Sequence, residues 1–465
     1  MKIIFKAVVS IIILIGLAFS NAQEIEGSWT GAIQGMPIVF EISKINDDYT
    51  AKLQSPSQSK IFLPMDSIVV AGRNISLVLN AYKIKYKGQL EDGKINGTFS
   101  QGGFTAPMVL EKKAYVETKP NRPQEPKGPF PYVSEDIFFI NHKANNIQLA
   151  GTLSIPSDVK QPPVAIMITG SGGQNRDEEI LGHKPFLVIA DYLTKNGIAV
   201  LRFDDRGVGQ SQGSQKDATS ADFATDVQAA IDYLKTRDII DRKKIGLIGH
   251  SEGGLIAAMV TANNKKDVAF FVSLAGTGVQ GDEVLLTQIK KSAQLQGAPE
   301  KDLDFEMELM EQLFKKIVAS KSLAQEELKK DLEVIIKNHT ALAPSHLKPK
   351  YNQDFINLLS TQFSDPWMRY FLATDPSGWL EKITCPALIL NGSLDYQVIA
   401  AVNLPGFKSA FAKARNNDTT LKEITGLNHL FQNAVTGGPE EYGQIEETFD
   451  PATLELIAAW INDRF

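Results

Sequence analysis

The chain has 465 residues, 43% of them apolar, and a formal net charge of −6. This is a composition for two or three globular units with ample core. An acidic balance without a basic patch argues against nucleic acid as a partner, because phosphate binding needs clustered Lys and Arg. The lone cysteine, Cys385, rules out an internal disulfide; ahead of Pro386 and the apolar run Ala387-Leu388-Ile389-Leu390 it reads as a buried residue at a strand entrance.

The chain opens with Lys2 and Lys6, an almost wholly apolar run from Ala7 to Phe19, and the small residues Ser20-Asn21-Ala22. This is the pattern of a secretory signal peptide over residues 1–22, with Gln23 as the first mature residue. The apolar run reaches only about 20 Å as a helix, against a hydrocarbon core of about 30 Å. The expectation is therefore cleavage, a periplasmic or secreted protein, and no membrane span once the signal is removed.

Residues 23–115 read as an all-β domain. Runs such as Ile38-Val39-Phe40-Glu41-Ile42 and Ile75-Ser76-Leu77-Val78-Leu79 alternate with turn signals such as Gly72-Arg73-Asn74 and Glu91-Asp92-Gly93. That spacing predicts an antiparallel meander, either a small barrel or a sandwich. Residues 116–131 carry proline at nearly every third position, which predicts a semi-rigid spacer.

From 132 to 465 the pattern changes. Strands are expected at 133–140, 147–155, 164–168, 199–203, 245–249, 270–274, 387–390 and 420–424, with helices between them. The middle strands are short apolar runs without alternation, as in parallel strands covered on both faces. The helix over 221–235 puts Phe223, Val227, Ile231 and Leu234 on one face, after a capping box at Thr219-Ser220-Ala221-Asp222. Together these predict an α/β fold with a doubly wound, mostly parallel sheet. Between 281 and 380 amphipathic stretches replace strands, and an insertion of that length is expected to form a helical cap over the active site.

The run Ile245-Gly246-Leu247-Ile248-Gly249-His250-Ser251-Glu252-Gly253-Gly254 is a strand followed at once by G-x-S-x-G and a helix. Such a turn holds a serine exposed at the helix amino terminus, where developing negative charge is favoured. Ser251 is therefore the candidate nucleophile. It needs a base and an orienting carboxylate. Asp395 ends the strand-like run beginning at Ala387, and His429 ends the next one; His339 and His346 fall in the cap, and Asp375 and Asp450 follow no strand. An oxyanion hole needs two backbone N–H donors. Glu252 supplies one, and Ser171 or Gly172, in the small-residue loop Thr169-Gly170-Ser171-Gly172-Gly173, supplies the other. His183, Trp367 and Phe371 are candidate pocket residues, with Met368 beside them. Asp204-Asp205-Arg206 predicts a buried Asp–Arg pair in a rigid turn. No histidines sit at metal-ligand spacing, so no metal is expected.

At the phrases GSGGQNRDE, FDDRGVGQS, GHSEGG and GLNHLFQ the chain resembles the α/β-hydrolase superfamily, and within it exported bacterial serine carboxylesterases. The resemblance covers residues 130–465 and implies hydrolysis of small-molecule carboxylic esters, short acyl chains being usual, without a cofactor. The catalytic part is also similar to prolyl-oligopeptidase-type peptidases, but residues 24–115 are too short for a propeller. Two other readings stand beside the esterase. One is an exported aminopeptidase or amidase, whose substrate ammonium would need Glu252 or the run Asp177-Glu178-Glu179. The other is a catalytically silent binding protein. The sequence leaves the oligomeric state and the role of the β domain open.

Overall fold

Apolar and polar residues alternate with period two through residues 27–112, and in the computed structural model they form nine antiparallel strands. The structure describes residues 25–33, 36–46, 48–56, 61–101, 104–115, 121–320 and 322–465. The expected signal peptide, 1–22, and the first part of the proline-rich stretch lie outside the described residues. The chain divides into two compact units, residues 1–117 and 118–465.

The first unit comprises β1 (Gly27–Ile33), β2 (Met36–Ile45), β3 (Asp48–Gln54), β4 (Leu63–Pro64), β5 (Ser67–Ala71), β6 (Asn74–Leu79), β7 (Ile84–Glu91), β8 (Lys94–Gln101) and β9 (Phe104–Lys112). They make one sheet in the order β4-β3-β2-β1-β9-β8-β7-β6-β5, so the unit is not a two-sheet sandwich. The sheet curls around a single core containing Trp29, Phe40, Leu77 and Tyr86. Its ends are drawn together where Met65 N donates to Ala51 O and Asp66 N to Val78 O, both at 2.9 Å. The buried Tyr86 hydroxyl bonds to the carbonyls of Ile95 (2.9 Å) and Met108 (3.1 Å). Gly97 makes room for that ring, since a Cβ there would lie 2.5 Å from it.

The second unit has β10 (Tyr132–Asn141), β11 (Ile147–Pro156), β12 (Val164–Ile168), β13 (Ala199–Phe203), β14 (Ile245–His250), β15 (Phe270–Leu274), β16 (Ala387–Gly392) and β17 (Thr419–Ile424). Its helices are α1 (Pro185–Lys195), α2 (Ser220–Leu234), α3 (Glu252–Asn263), α4 (Gly281–Leu295), α5 (Glu300–Ala319), α6 (Gln325–Ala341), α7 (Gln353–Ser364), α8 (Pro366–Leu372), α9 (Ser377–Leu380), α10 (Ala400–Ala414), α11 (Pro439–Tyr442) and α12 (Pro451–Asn462). The sheet order is β10-β11-β13-β12-β14-β15-β16-β17; β11 is antiparallel to both neighbours and the rest of the ladder is parallel.

Both faces of this sheet are covered, and successive residues of one strand enter different cores. Ile166, Leu201, Leu247, Phe271 and Ile389 pack with α2, α3 and α10. Ala165, Met167, Val200, Ile248, Val272 and Leu390 pack with α1 and α12. Continuous apolar strands follow from this, because neither face can be polar. After β12 the chain steps to β13 on one side, then returns to β14 on the other. That reversal opens a crevice at the carboxyl ends of β12 and β14, the usual place for a ligand in an open α/β sheet.

Helices α4 to α9 lie between β15 and β16; α4 to α8 build a core of their own, whereas Leu380 of α9 packs into the core of the sheet. Met310, Leu313, Phe314, Leu328, Leu332, Ile336 and Phe363 bury one another in the helical core. Residues 121–131, expected to be spacer, are tied into the second unit. Arg122 is 8% exposed and donates to the carbonyls of Leu181, Gly182, Gly443 and Ile445 at 2.8–3.3 Å.

Candidate active site

Ser251 stands between β14 and α3 with φ 53° and ψ −121°, a left-handed conformation uncommon for a residue with a side chain. The neighbouring glycines explain how the turn closes. A Cβ on Gly249 would lie 2.0 Å from the Gly253 carbonyl oxygen, and one on Gly253 would lie 2.2 Å from the Ile168 carbonyl oxygen. Ser251 N donates to Leu274 O at 2.9 Å, which anchors the turn to β15.

Asp395 and His429 come from the loops after β16 and β17, and His429 Nδ1 lies 2.8 Å from Asp395 Oδ2. Both side chains are buried. The carboxylate is fixed on its other side too: Oδ1 accepts from Gln397 N (2.8 Å) and Val398 N (2.9 Å), and Oδ2 accepts from Asn391 Nδ2 (3.2 Å). Gly392 lets the two loops meet, since a Cβ there would lie 2.2 Å from Leu427 O. Asn428 braces the histidine loop by accepting from Leu430 N and Gln432 N, each at 3.0 Å.

A cavity of about 150 Å³ opens onto Ser251. Val284, Leu285 and Gln288 of α4 and Trp367, Met368 and Phe371 of α8 form one side; Ser171, Glu252, Thr277, Gln397 and Val398 form the rest. The rings of Trp367 and Phe371 stack at 5.7 Å. Thr277, Gln288 and Gln397 escaped the sequence reading, for nothing in their local pattern marks them.

Of the two oxyanion candidates in the loop after β12, Ser171 lines the cavity and Gly172 does not. The preceding amide is already committed, as Gly170 N donates to Glu178 Oε1 at 2.8 Å. Glu252 does more than the sequence implied. Its side chain is buried, and Oε1 lies 2.5 Å from Ser220 Oγ and 2.9 Å from Trp367 Nε1. Burial raises the pKa of this carboxyl above its ordinary value, although the two hydrogen bonds work the other way.

Three expectations need correction. His183 does not line the cavity. It is buried beside the 442–448 segment, with Nε2 2.8 Å from Tyr442 O and Nδ1 2.9 Å from Thr448 Oγ1, and Gln432 Nε2 lies 3.0 Å from its Nε2. Burial, with the charge of Arg122, pushes it down to about 4, so it is neutral at pH 7 and serves as a brace for the histidine loop. The Asp–Arg pair expected inside one turn is instead two pairs between elements: Arg176 with Asp204 (2.8 Å) and Arg206 with Asp226 (2.7 Å). The acidic run at 177–179 does not face the cavity either. Asp177 pairs with Arg202, and Glu178 bonds to Gly170 and to His250.

The sequence places Asp205 only in the expected Asp–Arg turn and gives His250 no role. Asp205 holds the oxyanion-side loop at two points, accepting from Thr169 Oγ1 (2.7 Å) and Gln174 N (2.9 Å). Burial nevertheless pushes its carboxyl up to about 7. His250 Nδ1 lies 3.0 Å from Glu178 Oε1, and its Nε2 lies 2.9 Å from His429 O.

The family described as Serine aminopeptidase, S33 matches residues 185–434, more than half of the chain. Esterase EstD of Thermotoga maritima is 24% identical over 325 residues, 67% of this chain and 65% of its own length. An acyl transferase of Shewanella woodyi is 29% identical over 180 residues, 37% of this chain and 55% of its own. The chain thus spans less than two thirds of either relative. Among solved structures, Est1E from Butyrivibrio proteoclasticus with bound ferulic acid aligns over 70% of this chain and 96% of its own, at 17% identity and a TM-score of 0.38.

Proposed function

The chain belongs to the serine aminopeptidase (S33) family of α/β hydrolases, and from that premise we propose that it is an exported serine carboxylesterase acting on short-acyl esters. The observation that carries this reading is the buried His429–Asp395 pair, 2.8 Å apart, in a sheet whose nucleophile turn presents Ser251 to a cavity lined by both polar and apolar side chains. Ser251 Oγ attacks the ester carbonyl as His429 takes its proton, and Asp395 holds the imidazole in the required tautomer. The N–H groups of Glu252 and Ser171 stabilise the oxyanion. The alcohol leaves with the proton from His429, and water, activated by the same imidazole, releases the acid and frees the serine.

The size of the cavity supports a short acyl group, since about 150 Å³ is room for a benzene-sized body. Helices α4 and α8 act as the cap that walls it. The amino-terminal sequence pattern supports export, and among the described residues no helix is long and apolar enough to cross a membrane. The name of the family and one observation favour a second reading, an aminopeptidase: Glu252 is an ionisable group among the residues lining the cavity and could meet a substrate ammonium. Its Oε1 is already held by Ser220 Oγ and Trp367 Nε1, which weighs against that role.

A panel of p-nitrophenyl acetate, butyrate and octanoate with aminoacyl-p-nitroanilides separates the two. The expected order is acetate and butyrate fast, octanoate slow and anilides inert, with Ser251→Ala lowering turnover about 10⁴-fold or more. Faster cleavage of the anilides would favour the peptidase. Turnover by the alanine variant within about tenfold of the parent would remove Ser251 as nucleophile.

A further inference from the structure

A second buried histidine–carboxylate couple, His250 with Glu178, lies beside the first and takes no part in the reaction above. The rings of His250 and His429 are 4.8 Å apart, and both His250 and Glu178 are buried. His250 Nε2 faces the His429 carbonyl oxygen at 2.9 Å, and a carbonyl can only accept, so this nitrogen carries a proton. His250 Nδ1 faces Glu178 Oε1 at 3.0 Å, on the oxygen that already accepts from Gly170 N. With acceptors at both ring nitrogens, the imidazolium satisfies every contact. Burial, the largest influence, opposes that charge, but Glu178, the bond to His429 O and the charge of Asp395 together raise the His250 pKa. Glu178 is itself held at φ 51°, a left-handed conformation that persists only where the surroundings over-determine it.

We propose that His250 is a positioning residue for the base, its imidazolium setting the distance between His429 and Ser251 by holding the His429 carbonyl and, through Glu178, the Gly170 end of the oxyanion loop. One side chain thereby registers three loops. His250 immediately precedes Ser251, its Nε2 holds the loop after β17, and Glu178 holds the loop after β12. Nothing in the contact reaches the substrate, so the effect falls on turnover rather than on binding. The proposal rests on the reading of His429 as the base.

The test measures kcat and KM on p-nitrophenyl acetate for His250→Leu, His250→Gln and His250→Asn, with Ser251→Ala alongside. The Gln amide nitrogen reaches the place of Nε2 and restores the bond to His429 O. The Asn amide nitrogen reaches the place of Nδ1 and restores only the bond to Glu178. Leucine should lower kcat about 100-fold with KM within about threefold, and Gln should recover at least about tenfold more activity than Asn. The proposal is overturned if leucine stays within about threefold of the parent while Ser251→Ala is inactive, or if Gln and Asn are equivalent. If the leucine variant does not fold, the Gln–Asn comparison decides alone. If Ser251→Ala remains fully active, the reading of the whole site falls and this proposal with it.

Discussion

The carboxyl ends of the sheet strands and the helical layer between β15 and β16 both border Ser251, but they are built on opposite terms. At the strand ends backbone packs on backbone: Gly249, Gly253 and Gly392 each sit where a single Cβ would come within 2.0–2.2 Å of a carbonyl oxygen. The helical layer offers the cavity residues with large side chains, Leu285, Trp367, Met368 and Phe371 among them, and keeps its main core elsewhere. Backbone contacts cannot relax without moving a strand, whereas side chains can change size one at a time. The difference predicts that substitutions at the strand ends act on turnover and substitutions in the insertion act on selectivity.

The largest effect should come from adding one carbon to the rigid side. Gly249→Ala places a Cβ against the Gly253 carbonyl, and overpacking of a closed site typically costs about 1–3 kcal/mol and occasionally more. Loss of stability near the top of that range, with loss of turnover in what remains folded, is the expected outcome of denaturant unfolding and ester assay. An alanine variant as stable and active as its parent would show that the turn has slack and would erase the contrast.

A smaller and selective effect is expected on the other side. Trp367→Ala and Phe371→Ala should shift the preference between acetyl, butyryl and octanoyl esters, at about 1–3 kcal/mol per methylene, more than they slow acetyl turnover. Trp367→Phe separates the wall from the hydrogen bond to Glu252, since it keeps a ring but loses the Nε1 donor. A uniform loss across all three esters would instead make α8 part of the rigid frame.

The smallest effect concerns proton linkage under the oxyanion loop. Folded Asp205, pushed up to about 7, holds a proton that the unfolded chain, with an ordinary carboxylate near 4, has released. Between those values the native state binds more protons, so this group adds stability as pH falls and withdraws it as pH rises through 7. His183, held down to about 4, acts in the opposite sense below its ordinary value near 6.5. Asp205→Asn should therefore leave a protein that loses stability more steeply than its parent on acidification from pH 8 to pH 5. The difference is at most about 1.4 kcal/mol per pH unit, measured by urea unfolding. Identical slopes for the two proteins would show that Asp205 is ionised in the fold.

Local pattern was enough for much of this molecule. The strand at 164–168 and the strands at 199–203 and 270–274 have the expected ends, because a five-residue apolar run between turn signals is too short for a helix and suits a strand buried on both faces. The serine turn and the two strand-end residues Asp395 and His429 were legible for the same reason: each is set by its position at the end of a strand. Trp367 and Phe371, candidate pocket residues from the sequence, both line the cavity. The pattern around His183 does not tell its surroundings, because a histidine two residues ahead of a helix-opening proline looks alike whether it faces solvent, ligand or core.

Which residues close on one another was a different matter. Arg176 with Asp204, Arg206 with Asp226, Glu178 with His250 and Arg122 with four carbonyls join positions from 20 to more than 300 residues apart. No periodicity encodes such a contact. It arises because β12 lies between β13 and β14, which brings the loops after all three strands to one crevice. The amino-acid sequence by itself determined the elements, their order and the residues at their ends, since these follow from propensity and burial along the chain. Only the tertiary structure decided which carboxylate serves which cation and how much room is left above Ser251, because a buried charge takes whatever partner the sheet order carries within reach.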